Sequence, residues 1–243
     1  MLVLGIETST AVSSVALWDR NGPVAGMAHG RARGHVEFLM PAVAQMVEPS
    51  GGLSKVTAIA VGLGPGLFTS MRVGVVTAKS LAQGLRVPIV GISSLDALGF
   101  QARFTSRLIC ACVDAKRGEL FAAFYRRVPG GVKREGDHQA WDPDELAAEL
   151  IARDEEVLFV GDGAHVYPAL KVERAEVAGG ASRFPRADAI IELAMPRIER
   201  EEFTPVEQVE PLYVRKSDAE IKWEERGVVI ERPDRIKIRK ERP

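Results

Sequence analysis

Cysteine is scarce in this sequence: Cys110 and Cys112 are the only two among 243 residues, and a single residue separates them. In a strand such a pair points to one face and is too close in sequence to bridge easily. The two read as buried thiols in a reducing compartment, neither a disulfide framework nor nucleophiles. Long apolar runs are missing too, since no stretch reaches the ~18 residues that a membrane-spanning helix needs. Met1 leads into a short apolar run and then Glu7 with no basic segment ahead of it, so no signal peptide is expected and a cytoplasmic location is. Charge of one sign is not in excess either. The 32 Lys and Arg against 33 Asp and Glu leave a net −1, which argues against a chain-wide basic nucleic-acid surface but leaves a local patch open.

The remainder is ordinary for a globular protein, with 46% hydrophobic and 27% charged residues, and the length fits one large or two small domains. The periodicities organise it. Residues 2–8 form a nearly continuous apolar run, as in a strand buried on both faces, and 12–18 and 23–28 read as further strands around the turn Asp19-Arg20-Asn21-Gly22. Val36, Leu39, Met40, Val43, Met46 and Val47 then recur at helical spacing, ending at Pro49 and Gly51-Gly52. A strand at 57–61, a helix at 69–83 closed by Gly84, a strand at 88–91 and a helix from Ser93 or Ser94 to about Arg103 complete the first half. The second half starts the same order again. Strands are expected at 108–113, 119–126 and, more weakly, 132–140, then a helix capped by Asp142 through Ile151, a strand at 157–160 and a helix at 185–200. The repeated strand–strand–strand–helix–strand order predicts a duplicated α/β lobe with a mixed sheet. The expected division is an N-terminal lobe over 1–103, a C-terminal lobe over 104–212 and a charged tail over 213–243.

The turn Gly62-Leu63-Gly64-Pro65-Gly66 lies between a strand and a helix, where backbone N–H groups can cradle an anion. It matches neither a Walker A loop nor the Rossmann fingerprint, and a plain tight turn is the alternative. The helix after it carries Ser70, Gly74, Ala78 and Ala82, a stripe of small side chains that admits a close neighbour, either the chain's own sheet or another subunit. Candidate chemistry is thin. The four histidines, His29, His35, His138 and His165, show no i, i+4 pairing with one another, and His35-Val36-Glu37 reads as a solvated helix start. Glu7 and Asp114 hold matching places at the ends of the first strand of each half, suited either to a Mg²⁺–nucleotide cleft or to loop hydrogen bonding.

Taken together the motifs resemble one family. Leu4-Gly5-Ile6-Glu7-Thr8-Ser9-Thr10, Ser14-Val15-Ala16-Leu17, His35-x-Glu37-x-Leu39-x-Pro41 and the block from Gly62 to Arg72 look like the TsaB (YeaZ) family. Gly91-Ile92-Ser93-Ser94-Leu95, Asp114-Ala115-Lys116-Arg117-Gly118-Glu119, Gly161-Asp162-Gly163-Ala164 and Tyr213-Val214-Arg215 continue the likeness. The resemblance implies an actin-like ATPase fold (ASKHA, RNase H-like) of two duplicated lobes, each a mixed sheet flanked by helices. It also implies a place in the system that installs threonylcarbamoyl on N6 of adenosine 37 in tRNAs reading ANN codons. There TsaC makes threonylcarbamoyl-adenylate, TsaD transfers the group, TsaE is an accessory ATPase and TsaB is the required partner of TsaD.

TsaD is a paralogue and differs at identifiable positions. TsaD carries Asn-His-x-Glu-Gly-His after the fifth strand, and its two histidines bind metal. In this chain Ser94 and Leu98 stand at those positions, and Leu has no donor atom. The later Ser-Gly-Gly-Val-x-x-Asn nucleotide motif is absent. The expectation is a non-catalytic scaffold, with no metal and no cofactor of its own, that pairs with TsaD and TsaE. The resemblance allows a homodimer, weak ATP or ADP at the interface with TsaD, and tRNA contact only through the complex. The expected partner surface is His35, Leu39, Val43, Met46, Ser70, Met71, Gly74, Ala78 and Ala82. The expected degenerate nucleotide cleft is Glu7, Thr8, Ser9, Gly64, Gly66, Asp114, Gly161, Asp162 and Gly163. A tRNA-contacting role for the tail 215–243 is left open. The rival reading is a stand-alone ATPase or sugar kinase of the same fold. Its phosphate turn would be Glu7-Thr8-Ser9, which has no Gly to bring backbone close to phosphate. The older glycoprotease label of the family finds neither a metal pair nor a nucleophile–base pair here.

Overall fold

The computed structural model describes residues 1–30 and 34–215. The first strand, β1 (Leu2–Glu7), is buried along almost its whole length, as its unbroken apolar run requires. β2 (Ser13–Asp19) and β3 (Gly22–His29) continue as an antiparallel meander, α1 (His35–Val47) crosses over, and β4 (Ala58–Gly62) joins β1 in parallel. α2 (Phe68–Leu85) leads to β5 (Ile89–Ile92), parallel to β4, and α3 (Ser94–Gln101) follows with Ser93 accepting from the Asp96 N–H as its cap. The second half repeats the path. β6 (Leu108–Lys116), β7 (Glu119–Val128) and β8 (Gly131–Trp141) form the meander, followed by α4 (Pro143–Arg153), β9 (Val157–Val160), the short α5 (Gly163–Val166), β10 (Ala175–Val177) and α6 (Ala187–Glu199). The sheet orders β3-β2-β1-β4-β5 and β10-β9-β6-β7-β8 are one topology used twice. The expected duplication is thus present, with β10 as an added strand of three residues, too short to carry a period.

Helices cover both faces of each sheet, but not in chain order. Leu4, Ile6 and Leu17 meet Leu39, Val43, Met46, Ala78 and Ala82 of α1 and α2 on one face of the first sheet. On its other face Val3, Ala60 and Val90 meet Ile190, Ile191 and Ala194 of α6, which belongs to the second half of the chain. A Cβ on Gly5 would lie 2.7 Å from the Ala187 carbonyl, so glycine is what lets α6 seat there. Conversely α3 lies on the second sheet, Leu95 and Leu98 against Ile109, Ala111 and Val113. α4 covers the remaining face through Leu146 and Leu150 on Cys110, Leu120 and Phe124. The division expected after residue 103 therefore separates the sheets but not their layers, because each lobe borrows a helix from the other half.

Three local expectations are corrected. Val36 and Met40, placed on the apolar face of the first helix, are 66% and 40% exposed, and the buried face is Leu39, Ala42, Val43, Met46 and Val47. Gly84 does not end the second helix, which runs to Leu85 and stops at Arg86 in the left-handed region. The third strand of the second half spans Gly131–Trp141, longer than read, with a bulge opposite Ala122–Phe124. Both thiols are buried and free, as expected. Residues 216–243, most of the tail, lie outside the described residues.

Candidate functional site

The end of the first strand of each lobe is closed by the chain's own groups. At the end of β1, Glu7 is fully buried. Its Oε1 accepts the Ser9 N–H at 2.6 Å and its Oε2 accepts the Ser94 hydroxyl at 2.7 Å, while Ser94 Oγ in turn accepts the Gly64 N–H. Burial pushes the Glu7 carboxyl up from its ordinary range, against the pull of the Ser9 and Ser94 hydrogen bonds. A Cβ on Gly62 would fall 1.8 Å from Glu7 Oε2, and one on Gly66 would fall 2.1 Å from the Ser9 carbonyl. The Leu67 N–H donates to that same carbonyl at 2.7 Å. The glycine-rich turn, which carries a cis Gly64–Pro65 peptide, is therefore packed onto Glu7-Thr8-Ser9. Of the two readings of that turn, tight closure describes the geometry. Ser9 Oγ is left buried without a partner among the described residues.

At the matching end of β6, the Asp114 N–H donates to Asp162 Oδ1 at 3.0 Å, and Asp114 accepts from the Lys116 backbone, the Lys116 ammonium and the Tyr167 hydroxyl. Burial acts to raise the Asp114 carboxyl, but these donors outweigh it and hold it below its ordinary value. Burial raises Asp162, helped by the neighbouring Asp114 charge and opposed by the Asp114 N–H. Gly161, at φ +104°, and Gly163 pack against Cys112, where a Cβ on Gly161 would lie 1.9 Å from the Cys112 carbonyl. Among the described residues no group of three or more His, Cys, Asp or Glu side chains could hold a metal ion.

The small-residue stripe is turned inward. Ser70, Gly74, Ala78 and Ala82 are all buried, the Ser70 carbonyl accepts the Thr8 hydroxyl at 2.7 Å, and a Cβ on Gly74 would stand 2.3 Å from Thr8 Oγ1. Met71 is buried with its sulfur where a Cβ on Gly64 would go. These residues, with Leu39, Val43 and Met46, pack within the chain and are not surface available to another subunit. The His35 side chain lies outside the described residues. What α1 and α2 do expose is different: Val36, Met40, Phe68 and Val76.

Between the lobes remains a cleft of about 700 Å³ lined by the first turn of α2, the β6–β7 turn and residues 212–215. Leu212 donates to the Leu63 carbonyl, the Arg72 Nε donates to the Tyr213 hydroxyl at 3.1 Å, and Arg215 pairs with Glu119. Residues 212–215 thus strap the two lobes together. The motif Tyr213-Val214-Arg215 signals this strap in the sequence, though sequence reasoning assigned it no role. Sequence reasoning also missed a second cluster. Asp96 Oδ1 accepts from the Tyr125 hydroxyl, Arg134 and His138 Nε2, and Ser93 Oγ lies 2.9 Å from that same Nε2. Serine, histidine and aspartate here share one imidazole nitrogen, whereas a nucleophilic relay needs the acid on the other nitrogen. The cluster joins α3 to β7 and β8.

The duplicated mixed sheets with crossing helices and an inter-lobe cleft define an actin-like ATPase fold. A sequence profile described as TsaD, tRNA N6-adenosine threonylcarbamoyltransferase, matches residues 29–223. The tRNA threonylcarbamoyladenosine biosynthesis protein TsaB of Escherichia coli is 31% identical over 90% of this chain and 96% of its own length. The protein of the same name from Bacillus subtilis is 28% identical over 92% and 98%. The solved structure of YeaZ from Pseudomonas aeruginosa superposes with a TM-score of 0.76 at 27% identity, covering 87% of this chain and 99% of that one. The chain belongs to the TsaB (YeaZ) family, within the broader group that the TsaD profile describes. No helix among the described residues is long and apolar enough to cross a membrane.

Proposed function

We propose that this chain is the non-catalytic subunit of a tRNA threonylcarbamoyladenosine complex, pairing with TsaD, which carries the transfer to N6 of adenosine 37, and working with TsaE. The biosynthetic role rests on the names of its full-length relatives. The observation that carries the scaffold reading is the plugged lobe end: Glu7, Ser94, Gly62 and Gly64 fill one another's space where a nucleotide phosphate would enter. Support for pairing comes from the outer faces of the neighbouring helices α1 and α2, where Val36, Met40 and Val76 are 66%, 40% and 60% exposed. Exposed apolar side chains are what a protein interface buries. The partner surface is therefore this outer face, in place of the inward stripe. The same surface suits a second copy of the chain when TsaD is absent.

The stand-alone kinase or ATPase reading is opposed by the same closed turn. Light scattering after size exclusion, on the chain alone and mixed with the TsaD of the same cell, tests the proposal. A new species at the summed mass, with tRNA modification only in the mixture, is expected. Separate species in the presence of TsaE, ATP and tRNA, with sub-millimolar Mg-ATP binding by the chain alone, would replace it with the enzyme reading.

A further inference from the structure

The edge strand β8 does not run straight past β7. Between the pairs Phe124–Glu135 and Ala122–Gln139, β7 advances by two residues and β8 by four. Gly136, at φ +77°, takes the bend, and the Arg134 Nε donates to its carbonyl at 3.1 Å. The Arg134 guanidinium and His138 thus come together over the first turn of α3. The Arg134 Nη1 lies 2.9 Å from Asp96 Oδ1 and 2.8 Å from His138 Nε2. The same Nε2 is 3.2 Å from Asp96 Oδ1 and 2.9 Å from Ser93 Oγ. Tyr125, on β7, completes the cluster by donating to Asp96 Oδ1 at 2.8 Å.

These contacts cannot all be hydrogen bonds at once. A guanidinium only donates and a carboxylate only accepts, so an imidazole nitrogen between them serves one or the other. In a neutral His138 with its proton on Nδ1, Nε2 accepts from Arg134, whose Nη1 has a second hydrogen for Asp96. Ser93, which accepts the Asp96 N–H as the cap of α3, has its own hydrogen left to donate to Nε2. Once Nε2 is protonated, the contact with Arg134 sets donor against donor and cation against cation. The contact with Asp96 then becomes a charge-assisted hydrogen bond. Of the two cations Arg134 is the one able to leave, because its side chain is 34% exposed and that of His138 only 12%. Asp96 stays an anion throughout. Burial acts to raise its carboxyl, but the His138 and Tyr125 hydrogen bonds outweigh it and hold it below its ordinary value. Histidine is the side chain whose charge changes between about pH 5 and 8.

We infer that His138 is a proton-operated switch at the joint between α3 and the second sheet. Neutral, it shares Arg134 with Asp96; protonated, it takes Asp96 for itself and releases Arg134 to solvent. The joint lies next to the plugged end of the first lobe. Ser94, the residue after Ser93, donates to Glu7 and exchanges hydrogen bonds with Gly64 in both directions. The switch is independent of the reading of the chain as a subunit.

The test follows the imidazoles of the full wild-type chain by long-range proton–nitrogen NMR correlation from pH 8 to pH 5. His138 is assigned by the loss of its signals in His138→Gln, or through the β8 backbone should that variant not fold. At pH 8 the expected form carries its proton on Nδ1 and leaves Nε2 bare, and by pH 5 both nitrogens are protonated. A double-mutant cycle reads the exchange of partners as shifts in urea midpoint. The coupling between Asp96→Asn and Arg134→Ala should be present at pH 8 and lost at pH 5.5. The coupling between Asp96→Asn and His138→Gln should change the opposite way, growing as pH falls. An Nε2–H tautomer at pH 8, a His138 still neutral at pH 5, or an Asp96–Arg134 coupling equal at the two pH values would each overturn the inference.

Discussion

Glu7 illustrates how one residue changes meaning with its surroundings. A carboxylate at a strand end in a two-lobed fold suggests cleft chemistry, yet this one is sealed between Ser94, the Ser9 N–H and the Cα of Gly62. Burial raises its carboxyl above the ordinary 4.5, with the hydrogen bonds from Ser9 and Ser94 opposing. The folded state therefore binds the proton more tightly than the unfolded one. The stability this contributes is complete below about pH 4.5 and is lost as pH rises through the elevated folded value. Glu7→Gln removes the ionisation while keeping an amide oxygen for the Ser9 N–H. Urea denaturation at pH 4.5, 6 and 8 should show the variant gaining on the wild type as pH increases. A stability difference constant across that range would mean that Glu7 titrates as an ordinary exposed acid.

At the scale of elements, α2 shows why a small-residue stripe is ambiguous in one dimension. Gly74 costs roughly 1 kcal/mol of helix propensity relative to Ala, and the stripe alone permits either the chain's sheet or another helix as the beneficiary. The closeness of Thr8 Oγ1, 2.3 Å from where a Cβ on Gly74 would stand, decides for the sheet. Gly74→Ala should thus destabilise the isolated chain by about 1–3 kcal/mol through overpacking, partly offset by propensity, and urea melts would read it. A variant stabilised by the propensity gain alone would show that α2 does not press on Thr8. Gly74→Leu, which the stripe recommends as a pairing probe, reports on folding instead. Neighbouring elements were more legible. The helical period located the first helix and short apolar runs bounded by turn residues located the strands, but the same period admitted Val36 and Met40 to the buried face. A curved stripe one residue too wide cannot be told from the true one until the sheet beneath it is known.

For the molecule as a whole, the lobes are tied by exchanged helices and by the strap at 212–215, and the proposed partner face on α1 and α2 is made of other residues. Val76, 60% exposed on α2, offers a clean separation. Val76→Asp should change the chain's own stability by no more than ~0.5 kcal/mol, as surface substitutions do. It should nonetheless abolish the mixed species with TsaD, because an unpaired charge would have to be desolvated at the interface. Analytical ultracentrifugation of wild type and variant at equal concentrations would measure both association and mass. Unimpaired pairing would move the interface to another face of the molecule.

By itself the sequence determined the doubled strand order, the family and the buried thiols. Those features are local: they follow from residue type, alternation and short motifs, which a linear chain displays in full. Tertiary structure alone decided that α3 and α6 change places between the lobes, that the glycine turn closes on Ser9, that the stripe faces inward, and that Tyr213 and Arg215 bridge the cleft. Each of these depends on which of two apolar or polar surfaces meets a given face across long separations in sequence. Periodicity says that a face must be covered, and only the packed chain says by what.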